Sequence, residues 1–143
     1  MCSSDLRDER TVDEAIEVNL IAFYIGQLLE YKKIELGSLT LNISWLFRLK
    51  EDVDEEIRFL RLTKGYFEEA YYTEYLSDTN MDEIKLGYLI GEISRRLGSR
   101  QEALKWFSTV VSNSEINSNP MMKNLVMEQW RITREDARVD KSY

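Results

Sequence analysis

Apolar residues recur at three- and four-residue intervals in six stretches of this chain, each opened or closed by helix punctuation, and that pattern predicts an all-α protein of about six helices. The first helix starts at Thr11, where T-V-D-E supplies an N-cap and a Glu three residues on, and runs to about Lys32 with Ile16, Leu20, Phe23, Gln27 and Leu28 at helical spacing. The second covers about Glu35 to Lys50 and turns Leu39, Ile43, Leu46, Phe47 and Leu49 toward the core. The third runs from Val53 to about Tyr75, opening on acids that suit a helix N-terminus, with Ile57, Leu60, Phe67, Ala70 and Tyr71 inward. The fourth starts after the N-M-D-E signal at Asn80 and stops at Gly98. The fifth begins with the S-R-Q-E capping box at Ser99 and ends near Ser112. Asn119 caps a sixth whose first residue is the lone proline, Pro120, at the one turn where a missing amide hydrogen costs nothing. It carries Leu125, Val126, Trp130 and Ile132, and its polar composition past Arg134 predicts fraying over residues 136–143.

Residues 86–111 give the pairing rule. Leu86, Leu89, Ile90, Ile93 and Leu97 face Ala103, Leu104, Phe107, Val110 and Val111 across a turn at Gly98 and Ser99, a hairpin that resembles a tetratricopeptide repeat. Small Gly91 stands where the first helix must come close to the next. An offset of 48 residues sets Leu49 against Leu97, Asp54 against Glu102 and Phe59 against Phe107, so residues 46–60 supply a second, divergent unit with Ile43 opposite Gly91 and Glu55 opposite Ala103. Ser94 departs from the aromatic residue usual at its place. The resemblance implies tetratricopeptide-like hairpins in an antiparallel right-handed array.

Composition removes most chemistry. The chain has no histidine and one cysteine, Cys2, which excludes a zinc site, a Ser-His-Asp triad and a Cys-His pair built within it, and also an internal disulfide. No phosphate-cradling glycine loop occurs. An enzyme is therefore not expected, nor a cofactor. The formal charge of −7 is uneven, because residues 1–80 hold 17 acids and 9 bases while 81–143 hold 9 acids and 10 bases, and no basic stripe suits a nucleic acid. Neither a membrane-length apolar run nor a signal peptide is present, so a cytoplasmic protein is expected.

The segments T-V-D-E-A-I-E, S-W-L-F-R at 44–48, E-E-I-R-F-L at 55–60, Y-L-I-G-E-I-S-R-R-L-G at 88–98, E-A-L-K-W-F at 102–107 and M-E-Q-W at 127–130 resemble the helical C-terminal region of a bacterial family, domain of unknown function 2225. The similarity runs from about Arg10 to Glu135 and implies a tetratricopeptide-like fold with no established activity. Members of that family also carry an N-terminal segment with paired cysteines resembling a zinc ribbon, which this sequence lacks, so zinc binding does not carry over. The opening Met-Cys-Ser-Ser-Asp-Leu fits no helix signal and resembles a translated sequencing-adapter scar, and residues 1–10 are read as a disordered tail before a helical domain at 11–135.

Two functions are expected in competition. The first is a scaffold that binds a protein or peptide on a concave wall, at the positions that match the tetratricopeptide lining: Ser44 and Arg48 in one unit, Tyr88, Glu92 and Arg96 in the other. In the 48-residue alignment Arg48 and Arg96 are equivalent, and two guanidiniums on one wall suit a carboxylate. The second is an assembly module that positions the zinc-ribbon-like segment, and an apolar patch bare at the start of the first helix would favour it. Other features have plainer explanations beside a functional one. Arg95, Arg96 and Arg100 suit a helix end as well as an acidic peptide. The run from Glu51 to Glu56 opens a helix and lacks the spacing of a calcium loop. Tyr66, Phe67, Tyr71, Tyr72 and Tyr75 suit core and rim packing as well as peptide docking, and Gly87 with Gly91 suits close helix approach.

Overall fold

The computed structural model describes residues 11–76 and 81–141, with side chains as far as residue 135. The expected tail at 1–10, Cys2 within it and the side chains of the expected frayed end lie outside that range. Among the described residues all regular structure is helical: α1 Val12–Leu28, α2 Lys33–Leu49, α3 Val53–Thr73, α4 Glu83–Arg96, α5 Arg100–Ser112, a 3₁₀ turn Ser114–Ser118 and α6 Pro120–Lys141. The chain divides into two compact units, Met1–Tyr66 and Phe67–Tyr143, with the division inside α3. No described helix is long and apolar enough to cross a membrane.

Side-chain caps start most of these helices where the sequence places them. Thr11 accepts the Glu14 amide at 3.1 Å and Asn119 accepts that of Met122 at 3.2 Å. Asp52 does the same for Glu55 at 3.3 Å, which gives one acid of the 51–56 run a structural role, and Glu55 pairs with Arg58 at 2.9 Å. Two caps differ from expectation. The cap of α4 is Asp82, whose carboxylate takes the Lys85 amide at 2.8 Å, while Ser99 precedes α5 without a side-chain capping bond.

Three helices stop in the same way. In each, a residue with positive φ lets its own amide and the next one bond back to carbonyls of the last turn: Glu30 (φ 56°) and Tyr31 to Gln27 and Gly26, Glu51 (φ 63°) and Asp52 to Arg48 and Phe47, Gly98 (φ 80°) and Ser99 to Arg95 and Ser94. Only the glycine announces itself in the sequence. The glutamates hold the same left-handed conformation at a cost of roughly 1 kcal/mol each.

The first unit packs α1 on α2 around Ile16, Phe23, Leu36, Ile43, Phe47 and Phe59, with Val12, Leu20, Leu46 and Tyr66 at the margin. Phe59 stacks on Phe47 at 5.7 Å and takes the edge of Phe23 at 6.3 Å. Inside this core the Thr63 hydroxyl lies 2.8 Å from both the Thr40 hydroxyl and the Phe59 carbonyl, joining α2 to α3 by a buried polar link. The second unit packs α4 on α5 and α6 on α5, around Ile84, Ala103, Phe107, Val110, Ile116 and Val126. Here the expected role of the glycines is met: a methyl added to Gly91 would lie 2.5 Å from Phe107 Cε1, and one on Gly87 would lie 2.7 Å from Val110 Cγ2.

Burial corrects three apolar assignments. Leu28, Leu49 and Leu125 are 82%, 71% and 42% exposed, because each sits on the side of its helix turned from the core residues. The aromatic cluster of α3 is mostly packing: Phe67 is fully buried and Tyr71 sets its ring at 4.9 Å, nearly perpendicular, to Trp106, whereas Tyr72 and Tyr75 stay exposed.

The helix bounds also correct the repeat register. Because α2 has 17 residues and α4 has 14, an offset of 50 aligns their starts, and an offset of 47 aligns the helix stops and the second helix of each hairpin. The first pairs Ile34 with Ile84, Leu36 with Leu86, Gly37 with Gly87, Leu39 with Leu89, Ile43 with Ile93 and Ser44 with Ser94, six identities in the twelve residues from Lys33 and Glu83. The second pairs Glu51 with Gly98, Phe59 with Trp106, Leu60 with Phe107 and Thr63 with Val110. The 48-residue offset averages the two and hides the strongest similarity in the chain.

Candidate functional site

Helix α1 is apolar on two opposite sides. At 100° per residue, Ile16, Leu20 and Phe23 form one side and enter the core, while Val18, Ile21, Ile25 and Leu28 form the other, at 49%, 52%, 45% and 82% exposure. Tyr24 and Leu29 widen the exposed side. Scattered surface apolar residues are ordinary, but four in alternating steps of three and four along one helix make a continuous stripe. The acids of α1, Asp13, Glu14 and Glu17, all precede the stripe, and the helix contains no Lys or Arg.

Two other helices show that such a stripe is not a general property of this fold. An offset of 44 pairs Ile16, Phe23 and Gly26 of α1 with Leu60, Phe67 and Ala70 of α3, all buried, so the two helices share a core pattern. On the opposite side the same offset pairs Val18, Ile21, Ile25 and Leu28 with Leu62, Gly65, Glu69 and Tyr72, all exposed, of which only Leu62 is aliphatic. The last helix, α6, buries Val126 and Thr133 and covers its other side with an ionic ladder, Arg131 to Glu128 at 2.7 Å and to Glu135 at 2.9 Å. Arg131 holds the Glu128 carboxyl below its ordinary range. Helix α1 has no such ladder, since it contains no Lys or Arg.

Of the residues expected to line a groove, Ser44 is fully buried, and its hydroxyl donates to the Leu41 carbonyl at 2.6 Å, so it packs and offers nothing to a ligand. Arg48 is exposed on the last turn of α2 in the first unit. Tyr88, Glu92 and Arg96 come together on α4 in the second unit, one turn apart. Glu92 bonds Arg95 at 2.5 Å and has the Arg96 Nε at 3.7 Å, so a carboxylate of the same helix already occupies the guanidinium. Burial, with Glu92 adding to it, raises the Tyr88 hydroxyl above the ordinary phenol range. At the helix stops, where the offset is 47, Arg96 corresponds to Leu49 and Arg48 to Arg95, so Arg48 and Arg96 are not equivalent positions.

Periodicity alone does not reveal the α1 stripe, although its residues stand at helical spacing. A helix apolar on both sides has weak amphipathicity, and the inner set Ile16, Leu20 and Phe23 already accounts for the pattern.

No curated protein and no solved structure matches this chain. The family pattern described as an uncharacterized protein conserved in bacteria matches residues 2–133, reaching back into the segment that resembles a scar and forward through most of α6. That span is nearly the whole of the 143-residue chain, and the protein therefore belongs to the bacterial family known as domain of unknown function 2225.

Proposed function

We propose that this protein is a non-catalytic, tetratricopeptide-like helical scaffold of the bacterial cytoplasm that works by holding another polypeptide, and that the exposed side of α1 is its contact surface. The observation that carries this is the stripe Val18, Ile21, Ile25 and Leu28, left in water on a helix whose counterparts α3 and α6 carry no comparable aliphatic stripe at the corresponding side. Three of the four are already about half covered, so burying them against a partner contributes on the order of 1 kcal/mol each, and somewhat more for Leu28, before the costs of association. The repeated I-x-L-G-x-L-x-x-x-I-S element in α2 and α4 supports the repeat-scaffold part of the proposal. Arg48 and the Tyr88, Glu92 and Arg96 cluster remain as secondary contacts, since they are polar groups at helix surfaces suited to a rim.

The second reading, an assembly module for a metal-bearing segment of the family, draws on the same stripe. It favours a patch at the start of α1, and there the chain shows Asp13 and Glu14, with bare apolar residues only from Val18 onward. The test is photocrosslinking in cells, with a photoreactive phenylalanine analogue at Ile25 and, as control, at exposed Arg61 on the polar side of α3. Adducts to a polypeptide specific to Ile25 support the scaffold. Equal or no adducts at both positions refute it.

A further inference from the structure

The stripe on α1 has a spacing that a second copy of the same helix can cover. Its steps of three, four and three residues, from Val18 to Ile21 to Ile25 to Leu28, are the spacing by which one helix packs along another in a coiled-coil seam. The sequence is also balanced about residue 23: Val18 and Leu28 lie five residues to either side, and Ile21 and Ile25 two. An antiparallel copy of α1 therefore sets Val18 against Leu28 and Ile21 against Ile25 at both ends, so that every apolar residue of the stripe is covered by another.

Charge selects the same arrangement. Glu14 stands one turn before Val18 on the same side of α1, and the turn past the helix stop carries exposed Glu30 and Lys32, with Lys33 next, so antiparallel pairing brings Glu14 of each copy to the net-basic end of the other that carries Lys32. A parallel pair would set Glu14 and Glu17 beside their own duplicates, and like charges in that position repel. Nor does packing within a unit require the stripe, given that α3, with the same core pattern, has only one aliphatic residue, Leu62, at those four positions. We propose that the exposed side of α1 is a two-fold interface between two copies of this chain, paired antiparallel about Phe23. This rests on the scaffold proposal for the same surface and names its partner. The contact is isologous and closes on itself, so it makes a dimer and not a filament.

The experiment uses the full chain with Cys2→Ser, carrying either Val18→Cys or Leu28→Cys, and a short bismaleimide. In the antiparallel pair residue 18 of one copy faces residue 28 of the other, whereas two residues 18 are about 15 Å apart along the axis. Mixing the two variants is expected to give crosslinked dimer at least ten times faster than either alone. Glu14→Lys is expected to weaken the dimer about five-fold, and Glu14→Lys with Lys32→Glu to restore it. Equal rates for Val18→Cys alone and for the mixture overturn the antiparallel register, and absence of crosslinks in all three overturns the self-pairing. If the crosslinks are absent while Ile25 still captures a different polypeptide in cells, self-pairing falls and the scaffold stands. If both are absent, both fall.

Discussion

The α2–α3 and α4–α5 hairpins are built on one pattern and hold themselves together differently. At the aligned positions, the first has Thr40 and Thr63 linked by a 2.8 Å hydrogen bond, and the second has Ile90 and Val110, both buried. Where the first has Leu41, the second has Gly91 under the ring of Phe107. Both helices keep the buried serine, but Ser44 bonds Leu41 while Ser94 Oγ has no partner among the described residues. This repeat thus preserves where side chains are buried and lets the means of satisfying them drift: polar and internally bonded in one copy, closely packed and apolar in the other.

Each of these differences can be probed by substitution. The largest effect is expected at Gly91, where Gly91→Val drives a branched side chain into Phe107 and should cost about 3 kcal/mol in chemical denaturation. Leu41→Val at the aligned position should cost about 1 kcal/mol or less. Next is the threonine link. Thr63→Val alone should destabilise by about 1 to 2 kcal/mol, whereas Thr40→Ile with Thr63→Val, which copies the second hairpin, should recover most of the loss, because removing both partners leaves nothing unpaired.

Smaller effects separate the hairpins further. At the shared left-handed helix stop, Glu51→Gly should stabilise by about 1 kcal/mol and Gly98→Ala should destabilise by a similar amount, read as opposite shifts in thermal midpoint. The smallest is at the serines. Ser94→Ala should be neutral or stabilise by about 0.5 kcal/mol, since it deletes a desolvated hydroxyl with no bond to lose, while Ser44→Ala should cost about that much.

Much of the fold was legible because helix punctuation is local. Thr11, Asn119 and Pro120 mark their helix starts by chemistry confined to one turn, and Gly98 marks a stop for the same reason. Glu30 and Glu51 occupy the same backbone geometry invisibly, since nothing in a glutamate announces a positive φ. The repeat was legible as a hairpin but not in register, because a single offset cannot track two helices that differ by three residues. Of the expected site residues, Ser44 lies in the core and Glu92 engages Arg95 and Arg96, neither of which can be read from one-dimensional spacing. The α1 stripe was hidden for the opposite reason: both sides of the helix are apolar, and only burial tells which one the fold uses.

Whether the exposed side of α1 is a surface meant to be covered by protein is decided most simply by sedimentation equilibrium, comparing the full chain with Ile21→Glu, Ile25→Glu over a range of concentrations. The unaltered chain should rise from monomer to dimer mass while the double variant stays monomeric with an unchanged thermal midpoint. A monomer at every concentration for both would contradict the proposed self-pairing, and a double variant that unfolds would show that these two isoleucines support the fold and not an interface.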